Sequence, residues 1–159
     1  MISTLSSINI VVCEKILLED DRTYSAIRIV DVFYFRRDPA IPLEEQEAIP
    51  MNILVMGKME PADESEHWAQ IVIRRPSGEA TPIGPPLRNV FRATLGEAGK
   101  RLLADGSKES DIAGGFAIRA DITIVPRQTG RHQIEVAIDG SLVAKAPFTI
   151  LELKPLVSD

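Results

Sequence analysis

Residues 130–153, GRHQIEVAIDGSLVAKAPFTILEL, constrain this chain more than any other stretch. Ile134, Val136 and Ile138 are apolar at every second position, with Gln133, Glu135 and Ala137 between them. A period of two puts alternate side chains on opposite faces of a strand, so one face is buried and the other is wet. Leu142, Ala144, Ala146, Phe148 and Ile150 repeat the pattern. Asp139-Gly140, between the two runs, supplies the positive-φ residues of a tight hairpin turn. Two registers compete. A two-residue loop sets Ser141, Val143 and Lys145 across from the apolar triplet, and a three-residue loop through Ser141 sets Leu142, Ala144 and Ala146 there. A slip of one residue moves every side chain to the other face, so the face pattern outweighs the turn preference and the longer loop is expected. Pro147 has no N–H to give to a ladder and marks an edge or a bulge.

The rest of the chain repeats this character. Residues 7–18, 23–35, 51–59, 67–75, 87–95 and 116–125 are rich in β-branched and aromatic residues or alternate with period two. The connections at 36–50 and 76–86 are stiffened by prolines, and those at 19–22 and 60–66 are acidic. Only residues 97–105 suggest a helical turn or two. Helices alternating with strands would be expected of a parallel sheet, and they are missing. About eight strands and almost no helix therefore predict an all-β fold, a single antiparallel β-sandwich, with a closed barrel as the alternative. Residues 1–153 form the one domain and 154–159 a frayed tail. A chain of 159 residues buries roughly 68–70% of its unfolded surface and needs no disulfide or metal to fold.

Many chemistries are excluded on composition. Cys13 is the lone cysteine, lies in an apolar run, and is expected to be a buried thiol. Two histidines without ligand spacing leave no metal motif. Pro76-Ser77-Gly78 is a turn and not a nucleophile elbow, and Gly114-Gly115 is too short to cradle a phosphate. The expectation is a chain with no catalytic residues, no metal and no cofactor, and not an enzyme. No segment reads as a signal peptide or a membrane span, which predicts a soluble cytoplasmic protein. A net charge of −5 argues against nucleic acid as a partner. Open edge strands would permit self-association.

Loops of a sandwich fall at alternate ends. Counting connections places Arg36, Arg37, Arg74, Arg75, Arg88, Arg127 and Arg131 at one end, and Glu19, Asp20, Asp21, Glu60, Asp63, Glu64, Glu66, Asp105, Asp111 and Asp139 at the other. Guanidinium forks suit carboxylates, phosphates and protein interfaces, so the arginine end is the candidate docking surface for an acidic partner. Trp68 falls opposite Ala69, Ile71 and Ile73 on its strand. The core is the favoured place for it, and an exposed ligand platform is the alternative.

Three stretches carry a resemblance. They are Val11-Val12-Cys13-Glu14-Lys15 with Tyr24-Ser25-Ala26-Ile27-Arg28-Ile29-Val30-Asp31, then Arg75-Pro76-Ser77-Gly78, then the closing hairpin through Asp139-Gly140 to Pro147. Together they resemble a family of small bacterial proteins with an immunoglobulin-like β-sandwich and no established activity. The resemblance implies the immunoglobulin-like fold and brings no catalytic residues with it. The functional expectation is a non-enzymatic interaction or accessory module that recognises another protein through loops and sheet edges. A sandwich that binds a glycan or another small ligand is the alternative.

Overall fold

The computed structural model describes residues 4–20, 23–60, 62–83, 89–108 and 111–154. The chain runs β1 (Thr4–Leu18), β2 (Tyr24–Ile29), β3 (Val32–Phe35), a 3-10 turn (Leu43–Glu45), β4 (Ile49–Glu60), β5 (Asp63–Arg74), β6 (Ala80–Pro82), β7 (Asn89–Ala93), α1 (Glu97–Ala104), β8 (Gly114–Ile124), β9 (Gly130–Ile138) and β10 (Ser141–Glu152). The strands form a four-stranded sheet, β2-β1-β4-β8, and a six-stranded one, β3-β10-β9-β5-β6, in which β7 also pairs with β5. The all-β expectation holds, with ten strands among the described residues where about eight were expected. Among the described residues no helix is long and apolar enough to cross a membrane.

The two sheets share one core. Ile53 and Val55 of β4 face Ala69 of β5, Ile134 and Val136 of β9, and Phe148 and Ile150 of β10, all at most 1% exposed. Each comes from an alternating run, so burying one face of each sheet supplies the main stabilisation. Phe33 and Phe148 meet edge to face, with centroids 6.0 Å apart. Gly57 is required on β4 because a Cβ there would lie 2.5 Å from the Phe116 ring. Cys13 is fully buried where β1 exchanges β4 for β2 as its partner. Its thiol points to the Asn52 carbonyl at 3.8 Å, and burial raises its pKa.

The hairpin register differs from the expected one in an instructive way. Ser141 pairs with Ile138, so the loop is the two-residue Asp139-Gly140 turn, with φ of 49° and 84°. The register then shifts between Leu142 and Ala144. Val143 is an extra residue at this β-bulge, and it returns Ala144 and Ala146 to positions across from Val136 and Ile134. The turn preference and the face pattern are both satisfied. Leu142 falls before the correction and is left 54% exposed. Pro147 sits where β10 has β9 on one side only, since the β3 pairing starts at Thr149.

The run 23–35, expected as one strand, is two strands in different sheets. The Val30 N–H donates to the Val12 carbonyl at 2.9 Å, and the next residue's carbonyl, on Asp31, accepts from the Thr149 N–H at 2.7 Å. These consecutive residues tie the chain first to β1 and then to β10, so it crosses between sheets here. Arg28, at φ 50°, begins the reversal. The crossing also corrects the charge map. The β1–β2 turn lies at the arginine end, so Glu19 and Asp20 belong there and not at the acidic end; Asp21 lies outside the described residues.

Truncating the ring that fills the centre of the core, Phe148→Ala, is expected to cost about 3–5 kcal/mol, read as a lower urea midpoint with an unchanged m-value.

Candidate functional site

At the arginine end the sandwich is open along one side. In the four-stranded sheet β8 pairs with β4, and among the described residues its other edge carries only the Thr94–Gly115 bridge at its start. The facing edge of the larger sheet is split. Among the described residues β6 covers the end of β5, with the Ile83 N–H donating to the Ile71 carbonyl just beyond it, and β7 covers its beginning. Between this edge and β8 lies a cavity of about 550 Å³, within the range of small-ligand sites. Its apolar wall is Ile71, Ile73, Ile122 and Ile124, and its mouth carries Arg75, Arg119 and Arg127. Ala120, Ile122 and Ile124 alternate inward along β8 as core residues would, yet all three are half-buried where they line the cavity.

Two loops hold the mouth. The Arg75 N–H donates to the Glu79 carbonyl at 2.8 Å, the Gly78 N–H to the Arg75 carbonyl at 2.9 Å, and Gly78 takes φ 89°. This closes the β5–β6 hairpin around the Pro76-Ser77-Gly78 turn. The Ser77 N–H donates to Gln128 Oε1 at 3.1 Å, which ties that hairpin to the 126–129 loop. Arg75 is folded inward, its side chain 12% exposed, and pairs with Glu79 at 2.6 Å. The hydrogen bond from Arg75 holds the Glu79 carboxyl below its usual range. Arg119 pairs with Asp121 at 2.7 Å. Arg127 is exposed and has no ion-pair partner among the described residues. His132, 3% exposed, lies at the base of the cavity. Its ring stacks on Phe148 at 5.1 Å, and its Nδ1 is 3.0 Å from the Gly130 carbonyl. Burial lowers its pKa, and Arg75 lowers it further, so the ring is neutral at pH 7. A neutral ring donating from Nδ1 leaves Nε2 as an acceptor beside the cavity.

Of the arginines proposed as one surface, only Arg75 and Arg127 line the cleft. Arg74 and Arg131 lie on the outer face of the larger sheet, because strand alternation turns them away from Ile73 and His132. Arg74 grips Glu135 from Nε and Nη2 at 3.0 and 2.7 Å, and Lys145 reaches the same carboxylate at 3.1 Å. Arg36 and Arg37 follow β3, three strands from β5, roughly 14 Å away at the usual strand spacing. Arg88 lies outside the described residues. Arg119 and His132 were missed, although their strand positions were legible. Trp68 is not in the core. It is half-buried on the outer face opposite Ala69, beside Val90 and against Gly140 of the hairpin turn. No cluster of three or more metal-ligating side chains occurs among the described residues.

No family model matches the sequence, and no curated protein matches it. The chain is similar to the structure of Pseudomonas fluorescens alkylpurine DNA glycosylase AlkC bound to DNA containing an abasic site analog, at 12% identity and a TM-score of 0.39. The likeness covers 89% of this chain and 30% of that one. A likeness this weak carries no argument about fold or function. The exclusion of nucleic acid as a partner is withdrawn beside a neighbour whose structure is bound to DNA, although so weak a likeness assigns no partner to this chain. The exclusion rested on net charge, a whole-chain sum that averages over an arginine end and an acidic end and says nothing of the field at either.

Arg74 and Lys145 hold the Glu135 carboxyl at about 2, against 4.5 ordinarily. A depressed carboxyl stabilises the fold above its unfolded pKa, and that contribution is lost as pH falls from about 4.5 toward 2. Glu135→Gln is therefore expected to melt at a lower temperature than the parent at pH 7, with the difference shrinking through that window and gone only below it.

Proposed function

We propose that this chain is a binding module whose ligand enters the cleft between β8 and the β5–β6 hairpin. The ligand is an amphiphilic anion: an apolar chain or ring system with a carboxylate or phosphate head. The observation that carries this reading is the pairing, in one cavity, of an isoleucine wall with the exposed Arg127 guanidinium at the mouth, which makes no ion pair among the described residues. The wall supplies burial in proportion to apolar area. Arg127 supplies a charge-assisted fork for the head, and Arg75, neutralised by Glu79, lines the mouth without adding net charge. His132 Nε2 offers an acceptor to a protonated polar group carried deeper into the site. The immunoglobulin-like assignment belongs to the same proposal, supported by two sheets packed over a common core. This reading develops the small-ligand alternative drawn from the sequence, with the platform moved from Trp68 to the cleft.

Isothermal titration with decanoate and with decyl phosphate tests it. One saturable site is expected, with binding abolished by Ala120→Trp, which fills the cavity, and weakened about tenfold by Arg127→Ala, the loss of one charge-assisted contact. Trp68 fluorescence stays unchanged because the indole lies at the other end of the sandwich. Absence of saturable binding, or binding indifferent to Ala120→Trp, would overturn the proposal.

A further inference from the structure

The open edge of β8 has the same chemical pattern read in either direction. The β4–β8 register runs from Met59–Gly114 to Ile49–Ile124 without a shift, so β8 alternates regularly along its whole length. Gly115 exchanges both of its backbone bonds with Thr94, at 2.9 and 3.1 Å, on the side away from β4. Backbone groups two residues apart on a strand point the same way. The N–H and C=O of Ala117, Arg119, Asp121 and Thr123 are therefore directed to that open side, where none of them has a strand partner among the described residues. Their side chains are all exposed on the outer face. An edge of this kind is normally blunted by a proline, a lysine, a bulge or an inward-pointing charge. Residues 116–124, FAIRADITI, contain none of these.

A second copy running antiparallel, centred on Ala120, matches this edge residue by residue. Arg119 falls beside Asp121 of the second copy, and Asp121 beside Arg119 of the second copy, so the ion pair that closes within one chain at 2.7 Å also closes across the junction. Ala117 meets Thr123 on the same face. On the inner face Ile118 meets Ile122, Phe116 meets Ile124, and Ala120 meets its own mate at the two-fold axis. The residues that would bond are the ones already aimed at the open side, so the new ladder leaves the one to β4 intact. Centring the pair on Arg119 or on Asp121 instead sets arginine beside arginine or aspartate beside aspartate at the axis, which is unfavourable. Charge thus selects the Ala120 register over its two neighbours. The ladder also has natural ends. Thr94 occupies the edge at Gly115, and the strand that would run into it stops short: the Arg127 N–H donates to the Val125 carbonyl at 2.8 Å, and the chain turns there.

We infer that the edge of β8 is a homodimer interface, in which two copies join about a two-fold axis at Ala120 and their four-stranded sheets become one. The contact is isologous, so it satisfies both edges at once and does not propagate. It brings Ile118 and Phe116 of the second copy against the half-buried Ile122 and Ile124, and the apolar wall of each cleft then continues across the axis. The inference goes beyond the ligand reading and does not need it.

Sedimentation equilibrium of the full chain, without ligand and at low salt, tests the interface over a dilution series. The parent is expected at twice its chain mass of 17.5 kDa, dissociating on dilution. Arg119→Asp and Asp121→Arg each leave only like charges around the axis. Each should weaken association roughly 10–100-fold, because cross-strand attractions become repulsions. The decisive sample is an equimolar mixture of these two variants, which should associate as the parent does because each chain supplies the charges the other lacks. The double variant Arg119→Asp/Asp121→Arg keeps the ion pair within the chain, restores the palindrome, and should dimerise on its own, which separates loss of the interface from loss of folding. A parent that stays monomeric throughout would overturn the inference and leave the edge to a strand of another protein. A dimer indifferent to both single reversals would overturn it too, as would failure of the mixture and the double variant to recover association. Decanoate titration reads the cleft separately, so the two proposals stand or fall apart.

Discussion

The register of the closing hairpin is the constraint on which the rest depends. Its turn demands two residues and its faces demand three, and the chain meets both by adding Val143 as a bulge. Were Val143 paired in regular register instead of bulged, Lys145 would fall beside Ile134 on the buried face, and the charge would have no partner there. With the bulge, Lys145 turns outward to Glu135, and Phe148 turns inward between the sheets. The same turn is pinned to β5 through the Asp139 side chain. The register is therefore held at both ends: by a hydrogen-bonded loop at the tip and by an apolar face along the strands.

Much of the architecture was legible because alternation is a local signal. The inward sets of β5, β8, β9 and β10 can be read residue by residue, and the loops declare themselves by proline and acid content. The sheet crossing at Val30–Asp31 was not legible. Valine and isoleucine on both sides read as one continuous strand, and nothing local says that consecutive residues bond to different sheets. The misplacement of Glu19 and Asp20 follows from that single error, since every later loop kept its end.

The candidate sites were less legible, for two reasons. The outward turn of Arg74 and Arg131 could have been read from their parity against Ile73 and His132, but counting ends of strands ignores faces. The cleft was hidden for the other reason. A sequence displays the runs that fill a core, whereas a cavity arises where two sheet edges distant in the chain, here those of β5–β6 and β8, stand apart in space.

The unequal coverage of the two sheet edges also sets where this fold can vary. Residues such as Ile134 and Phe148 are locked by contacts on every side, and changes there are felt across the core. Ala120, Ile122 and Ile124 belong to the same alternating pattern but close-pack on one side only. Substitution at these three positions removes fewer contacts and leaves room for larger side chains. The cleft wall is the part of the interior that descendants of this sequence could remodel for new ligands while keeping the same scaffold.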